Sequence, residues 1–197
     1  MSSRRTAAAQ EVRHGPPGTV GPTMALAVCL LLAPADERAL AGLWRRVEAA
    51  GVPSMSSHTH GRHLPHLSYA VLRSWDLAAV RDAVAGLPDR GPVTLHLAAV
   101  ATAPRGRSWL VPAASADLVE RQRAVVEAVT ATGAELHRHY VPGRWLPHVS
   151  LAPRARLVDL PVVADVAYAV LPLEVRATRA ALIDSATGER WPLDTVP

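Results

Sequence analysis

The chain of 197 residues contains no lysine and no phenylalanine, and all 21 of its basic residues are arginine. With alanine abundant, this reads as a high-GC coding bias, so no chemistry is attached to the missing lysine. A single cysteine, Cys29, excludes an internal disulfide framework. It lies inside an apolar run and reads as a buried structural thiol, in keeping with a reducing cytoplasm. A net charge of +4 is too small for the dense basic stripe of a duplex-binding protein, yet it permits a phosphate-bearing ligand. Long hydrophobic runs are also lacking. Met24–Ala33 covers ten residues, half of the roughly 20 that a membrane helix needs.

Arg4-Arg5 ahead of that run gives the look of an export signal. Against this, the Gly/Pro-rich spacer Gly15–Thr23 separates the charge from the apolar stretch. The expectation is a cytoplasmic protein with no membrane contact, in which residues 1–22 form a disordered tail and Met24 is a candidate for the natural start of translation.

What is present is a phrase that occurs twice. Gly61-Arg62-His63-Leu64-Pro65-His66-Leu67-Ser68-Tyr69-Ala70 returns 82 residues later as Gly143-Arg144-Trp145-Leu146-Pro147-His148-Val149-Ser150-Leu151-Ala152, with seven of ten positions identical. The same shift maps Gly51 onto Gly133, and Leu26–Leu32 onto Ser108–Ala114. The unit of about 80 residues is too large for a solenoid repeat and fits a half-domain.

Each half reads as strand, helix, histidine strand, helix, strand. Leu40, Leu43, Trp44 and Val47 recur at helical spacing with Asp36 and Glu37 in the opening turn. Ser115 opens the matching helix with Leu118, Val125, Val126 and Val129 on one face. Asp76 opens a second helix, and Leu160, Val163, Ala167 and Val170 form its counterpart. Strands are expected near Leu67–Leu72, Val93–Val100, Trp109–Val111, Val149–Leu151, Val175–Ile183 and Trp191–Val196. The fold class is therefore α+β: two antiparallel sheets related by a pseudo-two-fold axis, helices outside, and a central cleft. Residues 24–197 form the single domain, with lobes at about 24–102 and 106–184.

Histidine titrates nearest neutral pH, so a pair can supply one base and one acid. Displacement at phosphorus needs a proton removed from the entering oxygen and one given to the leaving oxygen on the opposite side. His66 and His148 suit those roles. Ser68 and Ser150, two residues on and so on the same strand face, can hydrogen-bond the non-bridging oxygens. Nothing in this arrangement calls for a metal.

The twin segments His66-Leu67-Ser68 and His148-Val149-Ser150 resemble the paired H-x-[ST] motifs of the 2H phosphoesterase superfamily, in particular bacterial 2′-5′ RNA ligase-like cyclic phosphodiesterases. The likeness runs over about residues 24–196. It implies a metal-independent enzyme that opens 2′,3′-cyclic phosphates of RNA ends or nucleotides; a monomer with no cofactor is expected. It also implies reversible 2′-5′ ligation. Both hydroxyls here are serine where threonine is frequent, and either donates O–H. Two other readings fit the same residues: a non-catalytic binder of RNA ends or nucleotides, and a phosphoesterase for a small cyclic-phosphate metabolite.

Around the motifs, Arg62 and Arg144 occupy equivalent positions and are candidates to neutralise a phosphate, as is Arg154. Trp145, His63 and Tyr140 are candidates to stack on a base, Trp145 alternatively covering the core. His58, His60, His63 and His66 cluster without a nearby carboxylate or cysteine in sequence, and His58 and His60 read as solvated loop residues rather than zinc ligands. Tyr69, His96 and Trp44 read as core, and Arg45-Arg46 as a solvated helix face.

Overall fold

The structure, a computed structural model, describes residues 25–197; the tail expected over residues 1–22 lies outside the described residues. The elements alternate as the duplication requires. The first half comprises β1 (Leu26–Leu32), α1 (Pro34–Ala49), β2 (His66–Ser74), α2 (Leu77–Ala85) and β3 (Val93–Ala103). Next come β4 (Arg107–Pro112), α3 (Ala116–Ala131), the short β5 (Glu135–Leu136), β6 (Val149–Ala152), α4 (Leu160–Tyr168) and β7 (Leu173–Asp184). A last strand, β8 (Arg190–Leu193), borders β7.

The helices begin and bury where their sequences say they should. Leu40, Leu43, Trp44 and Val47 are the buried residues of α1. Asp76 caps α2 by accepting from the Ala79 amide at 2.9 Å, and Ser115 caps α3 by accepting from the Leu118 amide at 3.2 Å. Each cap satisfies an amide that the helix itself leaves unpaired. Two buried polar residues of α3 fall outside the apolar stripe. Arg121 donates to Asp117 at 2.8 Å and to the Gly91 and Arg90 carbonyls, and Gln122 donates to the Tyr69 and Tyr140 carbonyls.

The sheets do not follow the boundaries of the repeats. β1 pairs with β2 on one edge and with β7 on the other, while β4 pairs with β6 and β3. The third strand of each repeat thus completes the other repeat's sheet, so the segments 24–102 and 106–184 do not each close their own sheet. The reason is local. β3 and β4 are joined by the turn Pro104-Arg105-Gly106 alone, and a connection that short forces antiparallel pairing of its flanking strands. The helices follow suit, with α1 against α4 and α2 against α3 on the outer faces.

Two seams join the sheets into one closed circuit of pairing. One is the single pair Leu67↔Val149 between β2 and β6; the other runs along β3 and β7 and includes Thr94↔Arg176. Both pairs join residues 82 positions apart, so the pseudo-two-fold axis passes through them. The main apolar core lies between sheets and helices. On the opposite, concave face a second buried group contains Ala27, Cys29, Leu31 and Ala181.

Candidate active site

The Leu67↔Val149 pair sets the geometry of both histidine motifs. In the antiparallel register it defines, His66 lies opposite Ser150 and Ser68 opposite His148. Each histidine is therefore placed across the strand pair from the serine of the other motif. All four side chains line one cleft of about 960 Å³ on the concave face.

The Leu-Pro-His sequence orients each ring. His66 Nδ1 lies 2.7 Å from the Leu64 carbonyl oxygen, and His148 Nδ1 lies 2.7 Å from that of Leu146. A carbonyl only accepts, so Nδ1 carries a proton and donates it, which leaves Nε2 as the nitrogen that gains or loses one. Proline favours an extended residue before it and holds the carbonyl where the ring can reach it. The serines are positioned through their backbones. The Trp145 indole N–H donates to the Ser68 carbonyl at 3.1 Å, and the Trp44 indole N–H donates to that of Ser150 at 2.8 Å.

The two halves diverge in detail. Cys29 on β1 sits opposite Ser68, with its sulfur 3.4 Å from the Ser68 hydroxyl. On the other side Trp109 of β4 sits opposite Ser150, and its ring centroid lies 4.9 Å from that of His148. Trp109 corresponds in the repeat to Ala27, not to Cys29, so the two motif strands differ in register by two residues. A two-residue slip keeps the same face while exchanging the neighbour.

That divergence separates the histidines electrostatically. Burial is the largest influence on His66 and opposes its charge, but the Cys29 sulfur and the Leu64 carbonyl outweigh it and hold the ring up at about 9. Burial pushes His148 below the ordinary histidine value, the Leu146 carbonyl pulls the other way, and the charge of His66 adds to the lowering. Near neutral pH one ring is protonated and the other is not. Such a pair can donate and accept a proton in the same step.

Of the candidate arginines, Arg154 and Arg144 line the cleft, whereas Arg62 does not; its guanidinium donates to the Thr187 carbonyl. Trp145 packs beside Tyr69 with its indole bound to Ser68, so it supports the site from the core side. Tyr140 and His63 are in the lining. Tyr69, Trp44 and Cys29 are buried, and Arg45-Arg46 exposed, as expected.

Two expectations need correction. His96 is not core; it is exposed on β3 and faces Glu174 at 3.2 Å, because β3 alternates and Leu95 and Leu97 take the inward positions. His58 and His60 do not stand free in solvent: both are half-buried and line the cleft. The Glu48 carboxylate accepts from Ser54 and Ser57 and pins this loop to α1, and the Met55 amide binds the Leu151 carbonyl at 3.0 Å. His60 and His63 pack ring on ring at 4.2 Å, and burial, followed by the neighbouring histidines, pushes His63 down to about 4. Among the described residues, no three His, Cys, Asp or Glu side chains converge as a metal-holding group.

Arg105, Arg107 and the segment His137-Arg138-His139 escaped the sequence reading, yet they line an extension of the cleft. Their signals were faint: two arginines flanking the turn glycine, and a His-Arg-His run shortly before the second phrase.

Fold and site together define a two-histidine phosphoesterase architecture. A profile of the 2′-5′ RNA ligase superfamily matches residues 34–189, and the chain belongs to that superfamily. Similar solved structures include a phosphoesterase at 16% identity and TM-score 0.59, covering 88% of this chain and 97% of that one. E. coli LigT complexed with NADP+ shares 19% identity at TM-score 0.55, covering 88% and 96%. E. coli LigT complexed with 3′-AMP shares 16% at TM-score 0.55, covering 86% and 97%. No curated protein sequence matches the chain significantly. Among the described residues, no helix is long and apolar enough to cross a membrane.

Proposed function

We propose that this protein opens 2′,3′-cyclic phosphates of RNA ends or nucleotides without a metal, with His148 as base and His66 as acid. His148 Nε2 takes a proton from water as the water oxygen attacks phosphorus. The bond from phosphorus to one ribose oxygen breaks, and the proton on His66 Nε2 passes to that oxygen. A phosphomonoester and a free hydroxyl result, with the histidines' protonation states exchanged. Ser68 and Ser150 donate to the non-bridging oxygens, whose charge grows in the transition state. With a 5′-hydroxyl in place of water, the same groups support 2′-5′ joining.

The observation that carries this reading is that both histidines and both serines line one cleft, each ring having Nδ1 already committed to a carbonyl. The lining adds support, since it contains arginines and histidines but no aspartate or glutamate, which suits an anionic substrate. That relatives were solved with nucleotides, NADP+ and 3′-AMP with E. coli LigT, fits the same substrate class.

The test is turnover of mono- and oligonucleotide 2′,3′-cyclic phosphates in excess chelator. Ring opening unaffected by chelation is expected. Failure to open any of them would overturn the reaction, and loss of activity on chelation with rescue by zinc would overturn its metal independence.

A further inference from the structure

The cleft is lopsided. Beyond His148 it continues into an arm of about 740 Å³ whose walls carry Arg105, Arg107, Arg138, Arg144, His137 and His139. The arm is continuous with the histidine site, because Arg105, Arg107, Trp109, Tyr140, His148 and Ser150 line both. No carboxylate lines it, and among the described residues none of its four arginines takes part in an ion pair. Of the five arginines that line the cleft and its arm, only Arg154 lies outside the arm.

The duplication supplies no second arm. Shifted back by 82 residues, Arg107, Arg138, His137 and His139 become Ala25, Ser56, Met55 and Ser57, and Arg62, the counterpart of Arg144, turns away to Thr187. Arg154 stands by His58 at the other end, so the pseudo-symmetric cleft carries four of its five lining arginines at the His148 end.

The walls of the arm are held in place. Arg105 adopts φ +68° in the β3–β4 turn, a left-handed conformation that costs a non-glycine residue about 1–2 kcal/mol. The carbonyl of the next residue, Gly106, accepts from the Ala155 amide at 2.8 Å, so the turn is clamped to the segment that follows β6. Across the arm, the His137 amide binds the Val71 carbonyl at 2.7 Å, and Gln122 holds the Tyr140 carbonyl at 2.7 Å. The local field is strong enough to register on His137, lowered first by burial and then by His139, Arg73, Arg138 and Arg107. Uncompensated arginines on fixed walls beside a phosphate-reactive pair form a receptor for a second phosphate.

We infer that the arm of Arg105, Arg107, Arg138 and Arg144 binds the phosphate on the 5′ oxygen of the reacting nucleotide, so the substrate class is a 5′-phosphorylated 2′,3′-cyclic phosphate. The 5′ phosphate is either terminal or the bridge to a preceding nucleotide. This inference rests on the reaction proposed above. Trp109 and Tyr140 line both the arm and the histidine site, where they would flank the nucleoside that connects the two phosphates.

The experiment compares adenosine 2′,3′-cyclic phosphate bearing a free 5′-hydroxyl, the same compound with a 5′-phosphate, and a diadenylate ending in the cyclic phosphate. The 5′-phosphorylated forms should have kcat/KM at least tenfold higher, mainly through KM. The double variant Arg138→Ala/Arg144→Ala should reduce that ratio at least fivefold, and Arg105→Ala should do so separately. All three arginines are exposed, and melting curves verify that the variants fold. A diadenylate advantage over the terminal 5′-phosphate assigns the bridging source, and the reverse order assigns the terminal one. A ratio near one, or a ratio that the variants leave unchanged, overturns the inference. Binding separates this from failure of the reaction itself. Wild-type protein should prefer adenosine 3′,5′-bisphosphate to adenosine 3′-monophosphate, and the variants should lose that preference even if no cyclic phosphate is opened. Equal affinities for the two compounds overturn the arm as a phosphate site.

Discussion

Replacing Cys29 by valine should move the alkaline limb of the pH–rate profile and little else. Cys29 is fully buried on the concave face of β1, its sulfur 3.4 Å from the Ser68 hydroxyl, and valine fills a similar volume without the sulfur. With Cys29 present, His66 is held up to about 9, although burial alone would press it below its ordinary 6.5. Without the sulfur, burial faces only the Leu64 carbonyl, and the ring should fall to its ordinary value or lower, a drop of about two units or more. If His66 is the acid and falls to 6.5, the protonated fraction drops about thirtyfold at pH 8 but only by about a quarter at pH 6. The assay is turnover on one cyclic phosphate from pH 5 to 10. Equilibrium unfolding gives a second readout. A folded-state pKa raised above the unfolded one adds stability that is complete below about 6.5 and is lost as pH climbs through about 9. Wild-type stability should therefore decline across that window by up to about 3 kcal/mol, and the variant's should decline less. An alkaline limb that stays in place in Cys29→Val would refute the assignment of His66 as the acid tuned by Cys29. A uniform loss at every pH would show instead that the sulfur serves only packing.

Alanine at His66 or at His148 should each lower kcat/KM by about a hundredfold or more, and the double variant should be far less than multiplicatively worse; near-wild-type turnover in either single variant on every cyclic phosphate tested would exclude two-histidine catalysis. Gly106→Ala should melt lower by roughly 6–12 °C, for a penalty of about 3 kcal/mol in a chain of this size. Its added Cβ would meet the Ala155 carbonyl oxygen at 1.6 Å, and its φ of +69° disfavours any side chain. An unchanged melting temperature would mean that the β3–β4 turn is not clamped on the segment that follows β6.

The sequence by itself determined the elements, the duplication, and the two histidines and two serines that share the cleft. These signals are periodic or repeated: Leu40, Leu43, Trp44 and Val47 recur at helical spacing, and the Pro-His-x-Ser phrase occurs twice. Even the 82-residue shift reappears in space, as the separation of Leu67 from Val149 and of Thr94 from Arg176. Tertiary structure alone decided which strands share a sheet. A repeat carries the same pattern whether its last strand stays or crosses over, and only the three-residue turn after β3 chose crossing. It also decided the asymmetry of the site. Cys29 beside Ser68, Trp109 beside Ser150, and the arginine arm on the His148 side arise from a register slip and from loops distant in sequence, which no local spacing encodes. Arg62 and Arg144 stand at equivalent positions in the phrase, yet one lines the cleft and the other binds a loop carbonyl. Identical residues in a duplicated chain acquire different surroundings once their neighbours differ, and the neighbours are set by packing.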